Sequence, residues 1–217
     1  MIRPFGPTEF LFLLEGARWT ILLSLVAFAG GTAGGLVLAL MRISSNPWLS
    51  WPARGVIRIF QGTPLLMQLF LIYFGVGSFF DIDPWTAAAI GLGLNTSAFL
   101  GDIWRGCIEA VPRGQSEGAE ALGLSYLDRM RFVVLPQALK LAYAPTVGFA
   151  VQVVKSTSLA AIIGFTEVTR ASQIINNATF QPFLVFGIAA LIYFALCWPL
   201  TLLSDRLERR ASLPARS

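Results

Sequence analysis

Between Thr20 and Met41 the chain runs for 22 residues without a charged side chain. No other feature narrows the folding options as much. A helix needs roughly 20 apolar residues, at about 1.5 Å of rise each, to cross the hydrocarbon of a bilayer. Backbone N–H and C=O groups find no water there, so such a run satisfies them internally as a helix. Further apolar runs cover 59–80, 84–103, 141–166 and 183–204, with Asp102 near the end of the second of these and Lys155 inside the third. Together they predict an all-α membrane protein with five transmembrane helices in a single domain covering 1–217. Charged residues make up 13% of the chain, half the roughly 25% of an ordinary soluble domain, which leaves no room for a second, soluble domain. Ahead of the first run, residues 8–18 read as a short interfacial helix kept in the mature chain. The apolar patch Phe10–Leu14 is shorter than the core of a signal peptide.

Lys and Arg concentrate on the cytoplasmic side of membrane proteins. Here the first connection carries Arg42, Arg54 and Arg58, and the second carries only Asp81 and Asp83. The third carries Arg105, Arg113, Arg129, Arg131 and Lys140, and the fourth Glu167 and Arg170. The tail adds Arg206, Arg209, Arg210 and Arg216. This alternation predicts the N-terminus outside and the C-terminus inside. It also assigns the +4 net charge to topology and to no nucleic-acid partner.

The chain has no histidine, which excludes a Ser-His-Asp or Cys-His nucleophilic site and the histidine-containing zinc sites; no metal ligand set is expected. Cys107 and Cys197 sit in or beside apolar runs and read as small hydrophobes. Gly30, Gly31, Gly34 and Gly35 form two overlapping Gly-xxx-Gly pairs, which suit either packing within one chain or a seam between two.

Polar groups inside membrane spans are costly, so each is a candidate for function. Gln61, Thr63, Gln68, Asn95, Thr96, Ser97, Gln152, Lys155, Ser156, Thr157 and Ser158 qualify. Of these, Gln68, Asn95, Gln152, Lys155 and Ser158 are the candidates for a substrate pathway. Lys155 lies about 20 Å along a helix beginning near Leu141, where it either snorkels or faces a pathway. Thr63 and Pro64 mark a kink or gate, since proline lacks an N–H and clashes with the preceding turn. Glu167 and Arg170, on the outer side, are candidates for contact with an external partner.

Amid this apolar text, Gln115–Lys140 carries its own helix punctuation. Pro112 suits a first turn, Gly123 a left-handed terminus, and Ser125 with Asp128 a capping box. Pro136 is expected to close the second helix. Leu127, Met130 and Val134 share a face on it, with Asp128, Arg129 and Arg131 more exposed. The result is a stiff two-helix element on the cytoplasmic surface.

This segment resembles the EAA loop of ABC importer permeases, whose pattern is Glu-Ala-Ala, three residues, Gly, nine residues, Ile-x-Leu-Pro. Glu117, Gly118 and Ala119 are followed in register by Gly123 and by Val133, Leu135 and Pro136. Gly118 and Val133 are small departures. The segments RIFQGTPLLMQLFLIYFG, LNTSAFLGDIWRGCIEAVPRGQ and VKSTSLAAIIGFTEVTRA are similar to parts of polar amino acid permeases of the histidine/glutamine/glutamate type. The resemblance implies five spans in a bacterial inner membrane and a coupling loop over about 112–137. It implies that Glu117, Gly118, Ala119, Gly123, Leu135 and Pro136 meet an ATPase. The implied partners are two ATPase subunits, a second permease subunit that is a copy or a homologue, and a periplasmic binding protein that delivers a polar amino acid. This chain would bind no cofactor; ATP and Mg would sit on the partners. The sequence has no Gly-x-x-x-x-Gly-Lys-Ser/Thr phosphate loop, so it is not expected to be an enzyme. The alternative is an ion-coupled secondary transporter, which usually needs buried carboxylates or paired repeat halves. An intramembrane enzyme has little support without histidine or a buried acid pair.

Overall fold

The computed structural model describes residues 4–211; Arg216 of the basic tail lies outside the described residues. Nine α-helices occur among them: α1 (Pro7–Ile43), α2 (Pro47–Gly62), α3 (Leu65–Phe70), α4 (Pro84–Glu109), α5 (Arg113–Ala121), α6 (Tyr126–Arg129), α7 (Leu135–Ser156), α8 (Val168–Thr179) and α9 (Pro182–Ala211). Short π and 3-10 turns extend α3 through Ser78, join α6 to α7, and extend α7 through Ile163. By length and apolarity α1, Tyr126–Ile163 and α9 can each cross a bilayer, and the bent pair α2–α3 makes a fourth candidate. At 26 residues α4 is long enough, but Asn95, Thr96 and Ser97 in its middle make it less apolar.

One helix of 37 residues replaces the expected pair of an interfacial helix at 8–18 and a span from 20. Pro7 sets its first turn, and the Glu9 carboxylate accepts from the Gly6 N–H at 2.9 Å. No breaker separates the two stretches, and the first half has a protein surface to cover. Leu13, Gly16, Ala17 and Thr20, at i, i+3, i+4 and i+7, are buried. They pack against α8 and α9, where Leu13 meets Ala171, Ile175 and Val185.

The glycine pairs of α1 close a seam inside the chain. A Cβ on Gly31 would lie 2.2 Å from Thr96 Cγ2 of α4, whereas a Cβ on Gly30 would meet nothing within 4 Å. From the other side, a Cβ on Gly101 of α4 would reach 2.9 Å from Leu38 Cβ. Below this seam sits the main core, where Leu23 and Ala27 pack with Leu69, Leu92, Val153 and Ile163.

The second expected span is broken. α2 ends at Gly62 and α3 starts at Leu65, with a bend of 105° between them. Pro64 supplies the break. The opposite outcome holds at Pro136, which was expected to end a helix and does not: Tyr126–Ile163 is a single helical rod of 38 residues. A π turn at Met130–Val134 precedes the proline, and its wider hydrogen-bond register accommodates a residue without an N–H.

Candidate functional site

The segment 112–137 is organised by its end caps. Pro112 takes the cap position just before α5 rather than the first turn. α5 ends in a Schellman arrangement: Leu124 N–H donates to Ala119 O at 3.2 Å and Gly123 N–H to Glu120 O at 2.9 Å. Gly123 has φ +80°, a conformation that side chains with a Cβ rarely adopt. Ser125 then caps α6, its Oγ accepting from Asp128 N–H at 3.3 Å and donating to Asp128 Oδ2 at 2.6 Å. Arg129 reaches back to pair with Glu120 of α5, and the Gln137 amide donates to Gln115 at 3.3 Å and Val133 O at 2.8 Å. α5 and the rod, whose first turn is α6, are thereby tied together.

The apolar face of this element is split. Val134 packs with Val111 and Ala138 on the inner side, and Met130 joins them. Leu127 does not: it is 76% exposed and Leu122 83%. The ion pair holds Arg129 down on α5, leaving its side chain less exposed than Leu127. Of the motif residues, Glu117, Gly118, Gly123 and Pro136 are exposed, Leu135 is half-buried and Ala119 is buried. A methyl on Gly118 would meet nothing within 4 Å, so an alanine fits there equally well.

Gln68 and Asn95 come together, but around the chain's own backbone. Phe60 O has lost its helical partner because residue 64 is proline. Gln68 Nε2 replaces it at 2.8 Å and reaches Thr63 O at 3.0 Å and Thr63 Oγ1 at 2.9 Å. Asn95 of α4 donates to Gln68 Oε1 at 3.0 Å. Gln68 is only 7% exposed. The freed groups of the break are therefore satisfied internally, and this amide knot pins the bend to α4.

Gln152 and Lys155 lie on one exposed stripe of α7, three residues apart, and Lys155 makes no ion pair among the described residues. Ser158 turns inward on its own helix, donating to Lys155 O at 2.6 Å.

Glu167 corrects the expectation of a surface contact. It is fully buried and caps α8, accepting from Arg170 N–H at 3.0 Å. Tyr193 of α9 donates to its carboxylate at 2.5 Å and Thr20 of α1 at 3.4 Å. Burial raises its pKa above the ordinary carboxylate range, and the donors from Tyr193, the α8 backbone and Thr20 oppose that shift. Its null exposure suits a clasp holding α1, α8 and α9. Sequence reasoning missed Thr20 and Tyr193; each is one of several hydroxyls in its apolar run, so no sequence signal singled it out. Arg170 is half-buried and bonds Gln173.

Residues 31–213 match the family described as binding-protein-dependent transport system inner membrane component. The chain belongs to this family. The permease is 36% identical over 205 residues to the probable amino-acid ABC transporter permease protein YckA of Bacillus subtilis, covering 93% of this chain and 90% of that one. It is 34% identical over 208 residues to the glutamine transport system permease protein GlnP of Escherichia coli, covering 93% of each. A solved amino acid ABC transporter with histidines superposes with a TM-score of 0.89 at 34% identity, over 94% of this chain and 95% of that one. The fold is that of an ABC transporter permease, a transport component whose relatives belong to ATP-driven systems, and these relatives set aside the ion-coupled alternative.

Proposed function

We propose that this permease carries polar amino acids across a bacterial inner membrane, drawing on ATP hydrolysed with Mg by two partner ATPase subunits. A periplasmic binding protein delivers the substrate, and a second permease subunit completes the pathway. Five spans, with the N-terminus outside, agree with the loop charges. One observation carries the coupling assignment: the second helix of the loop and the long rod are one piece, Tyr126–Ile163. Motion received at the loop then travels up one continuous helical path. The exposed Leu122, Tyr126, Leu127 and Phe132 give a partner an apolar grip beside Glu117.

Gln152 and Lys155 are the pathway residues this reading retains, with the Lys155 ammonium suited to an α-carboxylate. Gln68 and Asn95 hold the bend and Ser158 bonds its own helix, so they support the pathway wall without touching cargo. Arg170 keeps its candidacy for the binding-protein side, and Glu167 loses it.

The test is reconstitution of the complete transporter with the variants Gly123→Asp and Glu117→Lys. Both should insert and fold, with uptake lost and ATP hydrolysis no longer raised by the loaded binding protein. Wild-type uptake by both would refute the coupling role. Lys155→Ala should weaken uptake and leave hydrolysis coupled; normal uptake removes Lys155 from the pathway.

A further inference from the structure

A groove of about 410 Å³ opens between α1, α4 and the base of the rod. Leu36 and Leu40 form one wall, Trp104 and Ile108 a second, and Leu135 and Leu139 a third. Thr32 is at its inner end, and its Oγ1 is buried without a hydrogen-bond partner among the described residues. From Thr32 to Leu40 the groove follows α1 for about 12 Å, close to the depth of one hydrocarbon leaflet.

At Ile108 this groove meets a second cleft, of about 600 Å³, which is polar. Arg42 and Arg113 line it, with Ser116 and Glu109. Arg54 and Arg105 lie near Arg42, with the carboxylates of Asp102 and Glu109; Arg113 lines the same cleft as Arg42. Arg105 takes both carboxylates. Arg42 and Arg113 make no ion pair among the described residues, and Arg42 additionally faces the like charges of Arg54 and Arg105. Trp48 and Trp51, strongly exposed at the start of α2, belong to the aromatic layer that marks headgroup depth.

We propose that these two clefts together bind one anionic phospholipid, one acyl chain in the apolar groove and its phosphate between Arg42 and Arg113. Arginine forks suit phosphate oxygens, and the surplus of cations over carboxylates selects an anionic headgroup over a zwitterionic one. The bound chain lies against Leu135 and Leu139, and the headgroup against Met130. The lipid thus braces the base of the rod against the end of α1. The site requires that the chain spans a membrane, and is independent of cargo.

The test uses the complete transporter in vesicles of phosphatidylcholine alone or with phosphatidylglycerol at three to one. Native mass spectrometry after detergent exchange reads which lipid is retained. The wild-type permease should retain phosphatidylglycerol over phosphatidylcholine by about tenfold, the preference expected where the cationic choline meets surplus arginine charge. Arg42→Gln with Arg113→Gln should abolish that preference, whereas Arg206→Gln should not. Leu139→Trp, which fills the groove and keeps both arginines, should also abolish retention. Each variant is compared only at wild-type elution volume and melting temperature. Undiminished preference in the double-glutamine variant overturns the proposal. So does equal competition by glycerophosphate, which would make the ligand a free phosphate. High-yield crosslinking of Leu36→Cys to a second permease chain would also overturn it, since the groove would then be a protein interface.

Discussion

Replacing Gln68 by leucine separates a structural knot from a ligand-binding residue. In the structure the Gln68 amide shares two N–H groups among Phe60 O, Thr63 O and Thr63 Oγ1, and its oxygen accepts from Asn95. Leucine retains the volume and removes every one of these bonds. Side-chain hydrogen bonds between membrane helices average about 0.6 kcal/mol and reach about 1.7. Three or four of them, with Thr63 O left unpartnered and Phe60 O keeping only the 3.5 Å bond from Asn95, come to about 2–4 kcal/mol. For a chain of 150–250 residues each kcal/mol lowers Tm by about 2–4 °C, so a drop of about 4–16 °C is expected. Thermal unfolding of the detergent-purified chain by intrinsic fluorescence measures it. Asn95→Leu should also destabilise, and the double variant should cost clearly less than the sum, because each single change strands the other's amide. An unchanged Tm in Gln68→Leu, accompanied by loss of uptake, would refute this reasoning and return Gln68 to the substrate path.

Two further outcomes follow from the geometry. Gly31→Ala, which drives a methyl into Thr96, should destabilise by about 1–3 kcal/mol, whereas Gly30→Ala, one residue away and open, should leave Tm unchanged or raise it slightly, alanine being the better helix former. Glu167 keeps its proton in the folded chain at pH values where the unfolded chain has released it. The stability linked to that proton is full below the ordinary carboxylate pKa and is lost as pH rises through the raised value. The Tm of the wild type should therefore fall relative to Glu167→Gln as pH increases from acid to neutral; a pH-independent difference would contradict a raised pKa.

Local chemistry was the most legible part of the sequence. Gly123, Ser125 and Asp128 announced their caps because each acts on backbone groups within a few residues. The apolar runs located the long helices for the same reason. Partners distant in sequence were not legible. Glu167 reads as surface charge until Thr20 and Tyr193, 147 and 26 residues away, are brought to it. Gln68 reads as a ligand until the bend at Pro64 presents it with Phe60 O. Proline itself is ambiguous: Pro64 breaks its helix, while a π turn carries the rod through Pro136, and the choice rests on register and packing. The glycine pairs showed that a close approach exists and left open on which chain its partner lies.

The uninterrupted rod from Tyr126 to Ile163 also imposes a phase relation. A single residue inserted near Leu139 would turn everything above it by about 100° and lift it by about 1.5 Å. Lys155 and Gln152 would swing off their stripe while the loop below stayed unchanged. Grafting a coupling loop from a relative onto this chain is then a matter of helical phase as much as of surface chemistry. Exchanges that keep the residue count between Ser125 and Lys155 should retain the aim of the proposed pathway residues, and those that shift it by one or two should not.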